Sequence, residues 1–188
     1  MNKLITALAL IAVIQNAHSV EIYFSPGLDC ENKIVAAIDG AKTEVVAAVY
    51  SIGNERIAHA LQAAHKRGVN VKVLTDRVQA AGRGSKVMDM IAAGVNVRVH
   101  SKHRIEHNKY GVFDGKLAIN GSYNWTRPAS SENSENCAVM PEPNAIAAYK
   151  KRFDELWTLN SQEKSAAYIA RLKAKNTGRI PASKKESE

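Results

Sequence analysis

His107, Lys109, Ser122 and Asn124 are residue types suited to attack on a phosphodiester, and they fall within one short stretch. An imidazole serves as nucleophile or proton carrier near neutral pH. An ammonium places positive charge where phosphoryl oxygens gain negative charge. A hydroxyl and a carboxamide add neutral hydrogen bonds that orient a substrate. No cluster of Asp, Glu, His or Cys at metal-ligand spacing accompanies them, so the reading calls for no metal and no cofactor.

Residues 107–124 read HNKYGVFDGKLAINGSYN. Asp114-Gly115 signals a hairpin, because both central positions of a type I′ turn need positive φ. A two-residue loop pairs Phe113 with Lys116 and sets His107 opposite Ser122. Side chains alternate faces along a strand. His107 and Lys109 then share one face, and Asn120, Ser122 and Asn124 share the matching face of the second strand. Directly opposed residues have Cβ atoms about 5 Å apart. Tyr110, Val112, Leu117 and Ile119 form the core side. His107 and Lys109 alone fit a polar surface hairpin better than a site; the full set argues for a site.

His107-x-Lys109, four residues, Asp114, six residues and Gly121-Ser122-x-Asn124 resemble the HKD motif of the phospholipase D superfamily. Trp125-Thr126 continues the likeness. Residues 23–52 resemble the small secreted bacterial endonucleases of that superfamily, so the resemblance runs from about residue 21 to 140. It implies a two-step reaction. His107 attacks phosphorus to form a phosphohistidine. A second histidine protonates the leaving oxygen and then activates water. Lys109 and Asn124 hold phosphoryl oxygens, and Ser122 orients the site. An acidic residue at the position of Glu135 holds the catalytic histidine by its second ring nitrogen; Glu132 competes for that role. Asp114 belongs to the motif, yet in the hairpin it sits in the turn, away from His107, where it shapes the loop. The chain carries one motif and the mechanism needs two, which implies a homodimer with a shared active site. The implied substrate is nucleic acid, DNA or RNA. A phospholipid is the alternative, because it presents the same diester; a binding module without turnover fits the complete motif less well.

The rest of the chain must position this hairpin. The 188 residues suit a single catalytic domain over residues 20–160. Hydrophobic residues at 45% and charged residues at 23% fit a globular protein and argue against a disordered chain. A net charge of +8 favours a polyanionic partner. Residues 1–19 read as a signal peptide: Lys3, an apolar run from Leu4 to Ile14, then Ala17-His18-Ser19. They imply a periplasmic or secreted protein. Cys30 and Cys137 then either form one disulfide or remain two buried thiols.

From Glu21 to Val99 short strands alternate with helices, which argues for an α/β fold. With the resemblance this becomes a mixed, largely parallel central sheet with helices on both faces. Residues 44–50 form a nearly continuous apolar run, as expected of a strand buried on both sides. Residues 55–67 repeat Ile57, Ala60, Leu61 and Ala64 at helical spacing, and Gly68 stops them. Lys102, His103 and Arg104 form a basic cluster that either grips flanking phosphates or is merely solvated. Tyr123 and Trp125 either stack on a base or pack the motif. Residues 144–159 form an amphipathic helix with Ile146, Tyr149, Phe153, Leu156 and Trp157 on one face. Residues 161–188 form a basic C-terminal helix and tail.

Overall fold

The computed structural model describes residues 19–177. All but Ser19 of the expected leader, and the last eleven residues of the tail, lie outside the described residues. The chain runs β1 (Glu21–Ser25), α1 (Asp29–Gly40), β2 (Glu44–Val49), α2 (Glu55–Lys66), β3 (Asn70–Asp76), α3 (Arg77–Ala80) and α4 (Val87–Ala92). It continues with β4 (Asn96–His100), β5 (Lys109–Phe113), β6 (Leu117–Gly121), α5 (Arg127–Ser131), β7 (Glu135–Met140), α6 (Pro143–Thr158) and α7 (Gln162–Thr177).

The strands form one seven-stranded sheet in the order β1-β7-β6-β5-β2-β3-β4. Helical crossovers return the chain to the same end of the sheet, so β2, β3 and β4 pair in parallel. No crossover helix separates β4 from β5, and β5 pairs antiparallel with β2. The remaining ladders, β5 to β6, β6 to β7 and β7 to β1, are antiparallel too. The sheet is mixed with helices on both faces, as expected, but parallel pairing is the minority: two of six ladders. Among paired strands only β2, β3 and β4 are joined in turn by helical crossovers, and the tight turn between β5 and β6 joins antiparallel neighbours.

β2 is buried on both faces, as its apolar run requires. On one side Val45, Ala47 and Val49 meet Ile34 and Ile38 of α1, Ile57 and Leu61 of α2 and Met90 of α4. On the other, Val46 and Ala48 join Tyr110 and Val112 under Ile146, Phe153, Leu156 and Trp157 of α6. The α7 helix is part of this domain. Its Ile169 is fully buried, and Ser165 Oγ accepts from Val99 N at 2.9 Å, covering the open edge of β4. The Cys30–Cys137 disulfide is formed and ties α1 to β7 across a separation of 107 residues.

The hairpin differs from its expected register by one residue. Asp114 (φ 51°) and Gly115 (φ 62°) have the left-handed backbone that the turn needs, and Lys116 N donates to Phe113 O at 2.9 Å. Pairing resumes one residue later, with Phe113 opposite Leu117 and Tyr110 opposite Asn120. A one-residue slip turns every side chain to the other face. Asn120 therefore faces α6, where it hydrogen-bonds Tyr149, and Ile119 joins the cluster that holds Phe113. Continuing the register sets Lys109 across from Gly121, so His107 does not stand opposite Ser122. Gly121 has to be glycine, because a Cβ there would lie 2.1 Å from Asn136 O on β7.

Asp114 anchors the turn at the end of β5 remote from His107, which places it outside the catalytic group. Its carboxylate accepts from Lys42 N, Thr43 N and Thr43 Oγ1 at 2.8 Å and from Glu44 N at 3.0 Å. Burial alone would raise its pKa, but these four donors outweigh it and hold the carboxyl well below the usual range. Such a group stabilises the fold above its unfolded pKa near 4, and the contribution is lost as pH falls toward the folded value. Asp114→Ala should cost about 2–3 kcal/mol at neutral pH, as for hydrogen bonds to a charged group. The melting-temperature gap from wild type should be full at neutral pH and shrink below about pH 4. A gap that stays constant in acid would show that the ionised carboxylate is not its source.

Candidate active site

Antiparallel pairing collects the start of β5, the end of β6 and the start of β7 at one end of the sheet, beside the end of β2. Val49 pairs with Lys109, Gly121 with Cys137 and Ser25 with Glu135. Tyr50, His107, Lys109, Ser122, Asn124 and Glu135 all belong to this end.

His107 is exposed, and its imidazole makes no hydrogen bond among the described residues. Its ring tilts against Tyr50 with centroids 4.6 Å apart. Both neighbours are fastened instead. Glu106 is buried, and its Oε1 accepts from Asn108 N at 3.2 Å and Asn108 Nδ2 at 2.6 Å. Glu106 N donates to Asp76 Oδ2 at 3.2 Å, while Asp76 Oδ1 caps α3. Asn108 O accepts from Tyr50 N at 2.7 Å. The backbone of His107 is thus held while its ring stays available.

Lys109 is only 8% exposed. Its Nζ donates to His107 O at 2.7 Å and sits 4.9 Å from the centre of the Tyr50 ring. An ammonium has three protons to donate, so this leaves donors for a substrate. Burial pushes its pKa down, and the charges of Glu135 and Glu106 work against that fall. Ser122 Oγ accepts from Asn136 N at 3.0 Å, which ties it to β7 and leaves its own O–H to donate. Asn124 lies between Tyr123 and Trp125, each 1% exposed, so both aromatics pack the core and neither offers a face to a base. Its Oδ1 is enclosed and has no partner among the described residues, an unmet hydrogen-bonding demand at the site.

Glu135 is not on the imidazole. Its Oε1 accepts from Asn133 Nδ2 at 3.0 Å, and its charge is felt at Lys109. The reason is topological: β6 lies between β7 and β5, so Glu135 begins two strands away from β5. Two strand spacings are about 9.6 Å. Glu132, the competing candidate, is exposed at the end of α5.

Sequence reasoning passed over the residues that hold the site. Tyr50 closes an apolar strand, and Glu106 is an acid in an otherwise basic loop; either could have been flagged. Glu31 carried no local signal. It is 4% exposed, and its carboxylate accepts from Ser130 Oγ (2.7 Å), Asn54 Nδ2 (2.6 Å) and Arg56 Nη1 (2.5 Å). Burial opposes its charge, and these three donors together outweigh burial and keep its pKa low. Ser130 Oγ also meets the Tyr123 hydroxyl at 2.6 Å, while Trp125 O accepts from Gly53 N and Asn54 N. Asn124 is therefore clamped from both sides. Among the described residues, no three His, Cys, Asp or Glu are placed to hold a metal ion.

Comparison with known proteins gives a consistent set of relatives. Residues 34–157 match the family described as "Cardiolipin synthase, PLD-like domain". The mitochondrial cardiolipin hydrolase of Chlamydomonas reinhardtii is 37% identical over 111 residues, 59% of this chain and 50% of that protein. The chain thus spans about half the length of that curated relative. A phospholipase D of Rickettsia bellii (strain RML369-C) is 32% identical over 130 residues, 69% of this chain and 65% of that protein. The crystal structure of a phospholipase D family member, Nuc from Salmonella typhimurium, superposes with a TM-score of 0.70 at 30% identity. That match covers 76% of this chain and 96% of the other.

The Glu135 charge gives the site a measurable handle. Lysine supplies its charge only below its pKa, and removing a nearby anion lowers that pKa further. Glu135→Gln should move the alkaline limb of kcat/KM for a chromogenic phosphodiester to lower pH and leave the acid limb in place. An alkaline limb that does not move would show that Glu135 does not tune Lys109.

Proposed function

This chain belongs to the phospholipase D superfamily, and from that premise we propose that it is an exported, metal-independent phosphodiesterase that cuts DNA and RNA as a nonspecific endonuclease. The observation that carries the reading is the imidazole of His107, without a hydrogen bond among the described residues, beside the Lys109 ammonium, which has no carboxylate partner among them. In the proposed reaction a ring nitrogen of His107 attacks phosphorus, and the bond from phosphorus to the leaving oxygen breaks. A second histidine gives that oxygen its proton. Water then attacks phosphorus, passes a proton to the second histidine and breaks the P–N bond. Lys109 and the Asn124 amide hold the phosphoryl oxygens, and Ser122 orients them.

The second histidine is assigned to His107 of another copy, in a homodimer with the site on its two-fold axis. The edge strand β1 supports this, since Ile22 and Phe24 stand 52% and 65% exposed at the same end of the sheet. Export is supported by the charged and apolar start of the chain and by the Cys30–Cys137 disulfide. Nucleic acid is favoured by the net charge of +8. Hydrolysis of anionic phospholipid is the second reading, favoured by the cardiolipin hydrolase and phospholipase D relatives.

Plasmid DNA, RNA and anionic phospholipid vesicles, offered in parallel, should show nucleic-acid cleavage that persists in EDTA. Activity lost in EDTA and restored by a divalent ion, or lipid turnover alone, would overturn the proposal. His107→Ala should abolish turnover and leave nucleic-acid binding largely intact, because binding comes from dispersed cations.

The shared site makes a separate prediction. Wild-type and His107→Ala chains, co-refolded in equal amounts, should retain about a quarter of the activity, since only dimers with two intact copies work. Retention of half would indicate independent sites.

A further inference from the structure

A cavity of about 640 Å³ opens where the ends of β3 and β4 meet α7. Arg77, Lys102, Lys164 and Arg171 line it, and no acidic residue does. None of the four forms an ion pair among the described residues. Some cations elsewhere on the surface are neutralised, as in Lys33–Glu21, Arg56–Glu31 and Lys150–Asp154. Arg171 lies over the Tyr168 ring at 5.6 Å, which leaves its N–H groups free to point into the cavity. Ser101 and Ser161 add hydroxyls to the wall.

The groove is built, not a chance meeting of loose side chains. Ser165 and Ile169 hold α7 against β4, and Ser101 N donates to Asn160 Oδ1 at 3.1 Å. Nor does it belong to the matched family segment alone, which ends at residue 157 and so excludes Lys164 and Arg171. It adjoins the active end of the sheet. Arg77 follows Asp76, which receives the backbone N–H of Glu106. Lys102 is five residues from His107 and therefore within about 18 Å of it at full extension. A DNA strand carries one phosphate per ~3.4 Å of axis, so that reach spans about five phosphates.

We propose that this groove is a second phosphate-binding site, which holds the backbone of a nucleic-acid strand away from the bond being cut and favours long polyanions over small diesters. The proposal rests on the nucleic-acid reading above. A strand threads a concave, cation-lined channel, whereas a membrane surface needs an apolar face that inserts. The exposed Leu159 in its wall and Val78 nearby are single residues, which is ordinary for a protein surface.

The test is the full-length chain with Lys102→Gln, Lys164→Gln and Arg171→Gln combined. A fluorescein-labelled single strand is titrated by anisotropy from about 50 to 200 mM salt, in a His107→Ala background that keeps it intact. Each lost contact should lower the slope of log K against log salt by about 0.7, or about 2 in all, with affinity down at least about tenfold. With His107 restored, hydrolysis of bis(p-nitrophenyl) phosphate should be unchanged while kcat/KM for long DNA falls.

An unchanged slope and affinity would overturn the proposal. So would a loss confined to vesicle binding, which would assign the groove to lipid. If the triple variant melts early, Lys164→Glu and Arg171→Glu singly decide: each should weaken DNA binding, and no effect from either would overturn the proposal. The two readings fail separately. If wild type cleaves no nucleic acid, the proposed function falls, while the anisotropy still decides what the groove holds.

Discussion

The ammonium of Lys109 is almost wholly enclosed and has no ion-pair partner among the described residues, and the arrangement around it follows from that. Burying a charge without compensation is costly. One carbonyl, one aromatic face and two carboxylates at a distance offset part of that cost, and the carboxylates oppose the fall in pKa that burial causes. The compensation is partial by construction. A carboxylate in contact would satisfy the lysine and block it. Carboxylates held one step back favour its charged form while leaving its donors for an anion. A phosphoryl group brings the missing charge, so substrate completes an electrostatic arrangement that the protein leaves open.

Holding such a group in place requires rigid surroundings, and the fold supplies them from several directions. Behind His107, the chain from Asp76 through Glu106 to Asn108 fixes the backbone on either side of the ring. Behind Asn124, the Glu31 network and two buried aromatics fix the segment after β6. The disulfide joins the helix carrying Glu31 to the strand against which Ser122 is tied. These supports converge on one end of the sheet because the parallel half ends at β2 and the antiparallel half begins there.

Much of this was legible in residue types, and the parts that were not share a cause. The buried β2, the α2 periodicity and the Asp114-Gly115 turn follow from local pattern, and the structure has all three. The one-residue register slip was not readable. Asp114 binds residues 42–44, about seventy positions earlier, and no local rule encodes that contact. Asn120 was assigned to the wrong face for the same reason. Glu135 was expected at the imidazole, but its placement depends on which strand lies between β5 and β7, a fact of topology. The largely parallel sheet was overread from the first half of the chain, where helices do alternate with strands. Cysteine pairing stayed open because it needs a Cα distance, which is 5.9 Å.

In the proposed reaction His107, Lys109 and Asn124 meet only a phosphate, and a phosphate is common to nucleic acids and lipids. His107, Lys109 and Asn124 cannot distinguish substrates that are identical at the reacting centre. Discrimination has to arise where the remainder of the substrate lies, through shape and through charge at a distance. In this chain Arg77, Lys102, Lys164 and Arg171 line one cavity around the ends of β3 and β4 and along α7, which is the path proposed for a polymer. Selection by such cations is electrostatic and weakens with salt. On the proposed reading substrate preference and phosphoryl chemistry are separable: the periphery sets one, and a lysine that the described residues leave without an ion pair serves the other.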